Sequence, residues 1–135
     1  MIIEKNLLDS LTEQAKVSPR LRQNLDLRNT PDDFSQRMLN AIEPGSQIPV
    51  HRHRDTSEAV VILRGRLVED FYDESGHTCV ESIELTPGGP VFGLTVPRGQ
   101  WHTAHAMESG TVIMEAKDGH YEPLDPEDVG GGMSL

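Results

Sequence analysis

Apolar residues along this chain change period once. Ile3, Leu7, Leu8, Leu11 and Ala15 recur at helical spacing with charged and amide residues between them, which predicts an amphipathic helix over residues 3–16 that stops at Ser18-Pro19. From Phe34 onward the pattern is that of short strands: Phe34–Ile42, Gln47–His53, Glu58–Leu63, Arg66–Tyr72, Thr78–Leu85, Val91–Val96, Trp101–Met107 and Thr111–Ala116 are each strand-length and rich in apolar residues. Turn signals such as Glu43-Pro44-Gly45-Ser46, Asp73-Glu74-Ser75-Gly76 and Thr86-Pro87-Gly88-Gly89-Pro90 separate most of them. Residues 20–33 read as a second short helical or irregular piece closed by the turn Asn29-Thr30-Pro31-Asp32-Asp33. From Lys117 the chain loses both periods and reads as a tail that wraps the surface or frays. Eight strands at this cadence predict an all-β jelly roll with an N-terminal helical segment packed outside the sheet. The expected organisation is one structural domain, with a helical extension at 1–33, a barrel at 34–123 and a C-terminal tail at 124–135.

Composition narrows the functional classes. At 135 residues the chain can bury a core without disulfides, and 36% hydrophobic content is ordinary for a globular domain. Lys and Arg total 12 against 22 for Asp and Glu, and the net charge of −10 argues against a nucleic-acid partner. The longest apolar stretch, Ala59 to Leu63, is too short to span a bilayer, and the amino terminus shows no basic segment followed by a long apolar core. No membrane partner is expected, and the expected location is the cytoplasm. The single Cys79 fits a reducing compartment and falls in a strand-like segment, where burial is its expected role.

Four residues carry a candidate chemistry. Gly45, five residues, His51-Arg52-His53, four residues, Glu58, six residues and Gly65 form one run, and Pro97-Arg98-Gly99-Gln100-Trp101-His102 forms another. On a strand, residues two apart share a face and lie roughly 6.6 Å apart along the chain, so His51 and His53 point the same way while Val50, Arg52 and Arg54 face oppositely. Glu58 opens an otherwise apolar strand, a costly place for a carboxylate unless it is paired, solvated or bound to a cation. His51, His53, Glu58 and His102 are therefore the candidate ligands of one divalent transition metal, and without a thiolate among them zinc, iron, manganese, nickel and cobalt all remain open. A His-x-His alone also fits a solvated pair on an edge strand. His105 is expected on the surface or at a subunit contact, His77 in a solvated hairpin turn, and Trp101 beneath the N-terminal helix.

A joint pattern of His-x-His, Glu and a later His between turn glycines resembles the two motifs of the cupin superfamily, whose members hold a metal inside a jelly-roll barrel. The second motif departs from the usual form at Val91 and Ala106, where cupins commonly carry Gly and Asn. Longer segments, Ser18-Pro19-Arg20-Leu21-Arg22-Gln23-Asn24, Gln36 to Gly45, Trp101-His102-Thr103 and Glu115 to Pro123, are similar to the WbuC family of cupin-fold metalloproteins. His120 stands where those relatives tend to have Pro, and the Gly-rich end lacks their aromatic ending. That resemblance implies a bacterial cytoplasmic protein connected with surface-polysaccharide metabolism.

Arg20, Arg22 and Arg37 form a cationic group in an acidic chain that could clamp a carboxylate or phosphate, or could pair with surface acids such as Asp26 or Asp32. Tyr72 and Tyr121 are further candidates for contact with substrate, as acid or base. The leading expectation is a metal-dependent isomerase, epimerase, lyase or dioxygenase acting on a sugar derivative or carboxylated molecule. A metal-stabilised binding module is the second. A structural or assembly role in which Val61 and Leu63 bury a partner is the third, and a homodimer is the expected assembly.

Overall fold

The helical period is realised in a computed structural model, which describes residues 1–130, as α1 (Lys5–Val17). Leu8, Leu11, Thr12 and Ala15 form its buried stripe, and the N–H of Ser18 closes the last turn on the carbonyl of Ala15 just before Pro19. Burying a leucine side chain contributes about 2 kcal/mol, so this stripe fixes the helix to the sheet below it. Arg64 adds a polar tie, donating to Asp9 at 2.6 Å and to Thr12 at 2.9 Å on the helix and to the carbonyl of Gly110 at 2.9 Å.

Eight strands follow: β1 (Arg22–Asp26), β2 (Ser35–Ile42), β3 (Glu58–Arg64), β4 (Leu67–Tyr72), β5 (Cys79–Leu85), β6 (Gly93–Val96), β7 (His102–Ala106) and β8 (Thr111–Asp118). They form two antiparallel sheets, a five-stranded one in the order β1-β2-β8-β3-β6 and a three-stranded one in the order β5-β4-β7. This is a jelly roll with one helix on its outside. Strand alternation divides the apolar residues into two cores. Ile42, Val60, Ile62, Leu67, Leu85 and Ile113 meet between the sheets, whereas Leu39, Ala41 and Val112 on the opposite faces of β2 and β8 pack under α1. None of the described helices is long and apolar enough to cross a membrane.

Several expectations are corrected. Part of the segment taken as helical or irregular at 20–33 is a strand, since Arg22–Asp26 pairs residue for residue with Met38–Ile42 along the sheet edge, where one flank faces solvent and few apolar residues are needed. Conversely, Gln47–His53 is not a regular strand. Pro49 has no N–H for a ladder, and only His51 pairs on both sides, with His102 and with Val129. Trp101 does not lie beneath α1; it packs under the β4–β5 turn at Gly76, donates to the carbonyl of Glu74 at 3.1 Å and carries the guanidinium of Arg52 4.7 Å from its ring centre. Cys79 is exposed, because the first positions of β5 have no layer over them. Leu63 packs into the core under α1 and only Val61 of the proposed partner-binding pair is exposed. The tail is ordered by contacts as far as Gly130, and the expectation for residues 131–135 lies outside the described residues.

Gly65, between β3 and β4, joins backbone strain to close packing. Its φ is +86°, and a Cβ there would sit 2.6 Å from the Cα of Thr111. Gly99 has a similar φ of +77° with open space around it. Gly65→Ala is expected to cost about 3 kcal/mol or more, and Gly99→Ala only the left-handed backbone penalty of about 1 kcal/mol. Urea unfolding of both variants measures the difference, and equal losses would contradict the packing argument.

Candidate metal centre

Glu58 is the first residue of β3 and shares its inward face with Val60 and Ile62, so its carboxylate is delivered to the space between the sheets at only 5% exposure. His102 is the first residue of β7, on the opposite sheet, and faces the same space. His51 and His53 come from the irregular link between β2 and β3. That link is docked on β7 through a reciprocal pair, the His51 N–H to the His102 carbonyl at 3.0 Å and the His102 N–H to the His51 carbonyl at 2.8 Å. Proline-interrupted backbone is thus held in register by the strand whose histidine it joins. One potential ligand atom from each of the four side chains lies within 4.8 Å of all the others.

Hydrogen bonds decide which ring nitrogens face the centre. Nδ1 of His51 lies 2.8 Å from the carbonyl of Pro49, and Nδ1 of His102 lies 2.8 Å from the carbonyl of Gln100. A carbonyl only accepts, so both Nδ1 atoms carry hydrogen and both Nε2 lone pairs are available to the cluster. Nε2 of His53 is buried and has no hydrogen-bond partner among the described residues. Nε2 of His102 and Oε1 of Glu58 lie 2.8 Å apart, a distance that two lone-pair-bearing atoms keep only with a proton or another cation between them. An orphaned imidazole nitrogen, two backbone-oriented rings and an anionic oxygen on one point fit a divalent transition ion.

Burial, together with the charge of His102, pushes His51 down to about 3, and burial with the nearby Lys117 pushes His53 down to about 4. Both rings are therefore neutral and able to ligate at any ordinary pH. Burial, the largest single influence, would raise Glu58, but the bond from His102 and the charges of Lys117, His102 and His53 together outweigh it and hold the carboxyl down at about 2. Burial, the largest single influence, would lower His102, but the bond and charge of Glu58, the charge of Glu69 and the Gln100 carbonyl together leave it raised.

The four residues line the floor of a cavity of about 670 Å³. Arg20 and Arg22 line it as well, and so does Tyr121 at its mouth. Arg37 does not: Gln36, Met38 and Asn40 take the inward positions of β2, and strand alternation turns Arg37 outward, to the carbonyls of Leu27 and Ser35 and to Asp33. Tyr72 also lies off the cavity wall, beyond a register shift between Phe71 and Tyr72. His105 faces outward toward Asp70 and His77 is exposed.

Sequence reasoning missed Glu69 on β4, Glu115 and Lys117 on β8, and the whole tail wall. Glu69 is pushed up to about 8 by burial, and burial next to Glu58 also raises Glu115, which accepts from Asn40 at 2.6 Å. Their signal was parity: Glu69 shares a face with Leu67, and Glu115 and Lys117 share one with Ile113. Residues 119–125 line one side of the cavity, and Asp128 anchors this tail segment by accepting from Arg52 at 2.8 Å and from Arg54 at 2.7 Å.

A family model described as a domain of unknown function, DUF6016, matches residues 3–85, a span that includes α1, His51, His53 and Glu58. The chain belongs to the DUF6016 family. No curated protein matches this DUF6016 chain. Among solved structures it is similar to KdgF from Halomonas sp., at 19% identity over 78% of this chain and 85% of that one, with a TM-score of 0.59. It is also similar to the capsular polysaccharide assembling protein CapF from Staphylococcus aureus, at 22% identity over 82% of this chain and a TM-score of 0.63. It spans only 29% of the CapF chain. A cupin 2 domain-containing protein from Halorhodospira halophila matches at 19% identity over 78% of this chain and 70% of that one, with a TM-score of 0.60. These likenesses show the fold, a cupin jelly roll.

The depressed imidazoles carry a stability signature. In the unfolded chain both bind protons below about 6.5, whereas in the fold His53 does so only near 4 and His51 only near 3. Between those limits the unfolded state holds more protons at these two sites, so the two rings make metal-free protein less stable as pH drops from 6.5 toward 4, against the opposite contribution of the raised Glu69 and Glu115. Urea unfolding in chelator across that range measures the slope, and His51→Gln with His53→Gln is expected to remove the histidines' contribution, so that stability falls less, or rises more, as pH drops. A double variant with the wild-type slope would contradict the burial of these rings as neutral groups.

Proposed function

We propose that this chain is a metal-dependent cupin enzyme acting on a small sugar-derived or carboxylated molecule, with His51, His53, Glu58 and His102 as ligands of one divalent transition ion. The buried Nε2 of His53 carries this reading, because this ring nitrogen, gathered with two other imidazoles and a carboxylate, has no hydrogen-bond partner among the described residues. A bound ion would supply Lewis acidity toward a carbonyl or hydroxyl oxygen. The chain's own groups supply the rest. Glu69 is protonated at neutral pH and stands in the cavity wall, where it can hand a proton to a bound molecule and take one back. Glu115 offers a second carboxyl, oriented by Asn40.

Support for a carbohydrate substrate comes from the WbuC-like segments and from the fold shared with CapF, itself a capsular polysaccharide assembling protein. Bacterial surface-polysaccharide metabolism and a cytoplasmic location are parts of the same proposal.

Gently purified protein is expected to carry roughly one transition metal per chain by elemental analysis, and His53→Ala or His51→Ala is expected to lower that content 10-fold or more, in line with the loss of a direct ligand. Unchanged content in both variants would place the metal elsewhere. Turnover of a sugar acid or sugar phosphate that depends on the same metal would separate an enzyme from a binding module, which would saturate without product.

A further inference from the structure

Among the described residues, the arginine and lysine side chains are paired with carboxylates except for two neighbours, and both of these lie in the cavity. The chain has nine arginines and three lysines. Every lysine and seven of the arginines have a carboxylate within 4.0 Å, from Arg28 against Asp26 to Arg98 against Asp118. Arg20 and Arg22 have none among the described residues, although the chain carries 22 acidic side chains and a net charge of −10. Both line the cavity that holds the four-residue cluster.

Their placement is built. Leu21 between them has a φ of +55°, the one non-glycine residue in the left-handed region among those described. The surrounding backbone holds it there: Arg20 N–H donates to Ser18 Oγ at 3.2 Å, Leu21 N–H to the Ser18 carbonyl at 3.0 Å, Ser46 Oγ to the Arg20 carbonyl at 2.7 Å and Glu43 N–H to the Leu21 carbonyl at 2.9 Å. Arg22 is half-buried and uses only Nη1 on the protein, toward Ser46 Oγ at 3.1 Å and the Gln47 carbonyl at 3.3 Å. Its Nε and Nη2 donors have no acceptor among the described residues. Burial and the neighbouring charge of Arg20 both weigh against the Arg22 cation, the mark of two like charges held together without a counter-ion. The other cations of the cavity lining are paired, Lys117 with Glu58 and Arg54 with Asp128, so the arginine end offers an anionic group the lining's uncompensated positive charge.

We propose that Arg20 and Arg22 form an anion subsite of the cavity, and that the molecule bound there is a small acid whose carboxylate or phosphate seats on the two guanidiniums while its hydroxyl or carbonyl oxygens extend toward His51, His53, Glu58 and His102. The first half stands on the arginines alone; the second rests on the metal reading of the cluster. Guanidinium forks match both oxyanions in two-point geometry, so carboxylate and phosphate are separated by experiment.

Calorimetric titration of the purified protein with glucuronate, glucose 6-phosphate and glucose tests this with one ring and three charges. At least one of the two acids is expected to bind 10-fold or more tightly than glucose, and the stronger one identifies the oxyanion. Arg20→Gln with Arg22→Gln is expected to weaken that acid at least 10-fold with metal content unchanged, while Arg37→Gln, which faces away from the cavity, leaves it unaltered. Should the double variant fail to fold, exposed Arg20→Gln alone is expected to weaken the acid several-fold. Equal binding of glucose and the acids, wild-type affinity in the folded arginine variant, or no binding of either acid would overturn the proposal. Metal content is read independently, so protein that binds an acid but no metal would refute the metal reading and leave the subsite standing.

Discussion

A carboxylate placed between two β-sheets has to be compensated, and much of the site's local structure follows from that requirement at Glu58. An unpaired buried carboxylate costs several kcal/mol even after relaxation. Here His102 from the facing sheet stands 2.8 Å from one oxygen, with His53 3.9 Å away, and Lys117 approaches the other at 3.8 Å. Each of those partners needs its own support: His102 takes the carbonyl of Gln100, and His51 takes the carbonyl of Pro49 while pairing with His102 through the backbone. The result is a polar knot at one end of an otherwise apolar interior, tying β3 to β7 and both to the irregular link that carries His51 and His53.

Next to that knot the interior opens as a cavity instead of closing as a core. Ile42 and Ile113 sit on the boundary, facing the apolar cluster on one side and the cavity on the other. Beyond them the inward positions of β2, β4 and β8 become polar, with Asn40, Glu69 and Glu115 where leucine or valine would fill a closed barrel. A sandwich gives up packing energy wherever it does this, and such concessions concentrate at binding sites. The tail fastened by Asp128 to Arg52 and Arg54 adds a further side to the cavity without filling the space.

Elements with a strong local signal were legible in the sequence. The period of α1, most strand positions and the grouping of His51, His53, Glu58 and His102 all follow from side-chain spacing, because period and burial are set by the same geometry. What escaped was set by distant partners. Arg22–Asp26 is a strand because β2 offers it an edge, and Gln47–His53 is not one because Pro49 breaks the ladder. Trp101 chose the β4–β5 turn over the helix, a matter of which end of the barrel each occupies. Arg37 and Arg22 looked equivalent as neighbours in a basic group, yet alternation on two different strands sends one outward and leaves the other in the cavity wall. The tail had no period to read, since its order comes from Arg52, Arg54 and the backbone of Val50.

X-ray absorption at the metal edge of loaded protein tests the central claim most directly. Three imidazole nitrogens and one carboxylate are predicted in the first shell, with the outer-shell scattering that imidazole rings produce and one imidazole fewer in His53→Ala reloaded at excess metal. A first shell of light atoms with no imidazole contribution, or one that His53→Ala leaves untouched, would contradict a metal centre built on these four side chains.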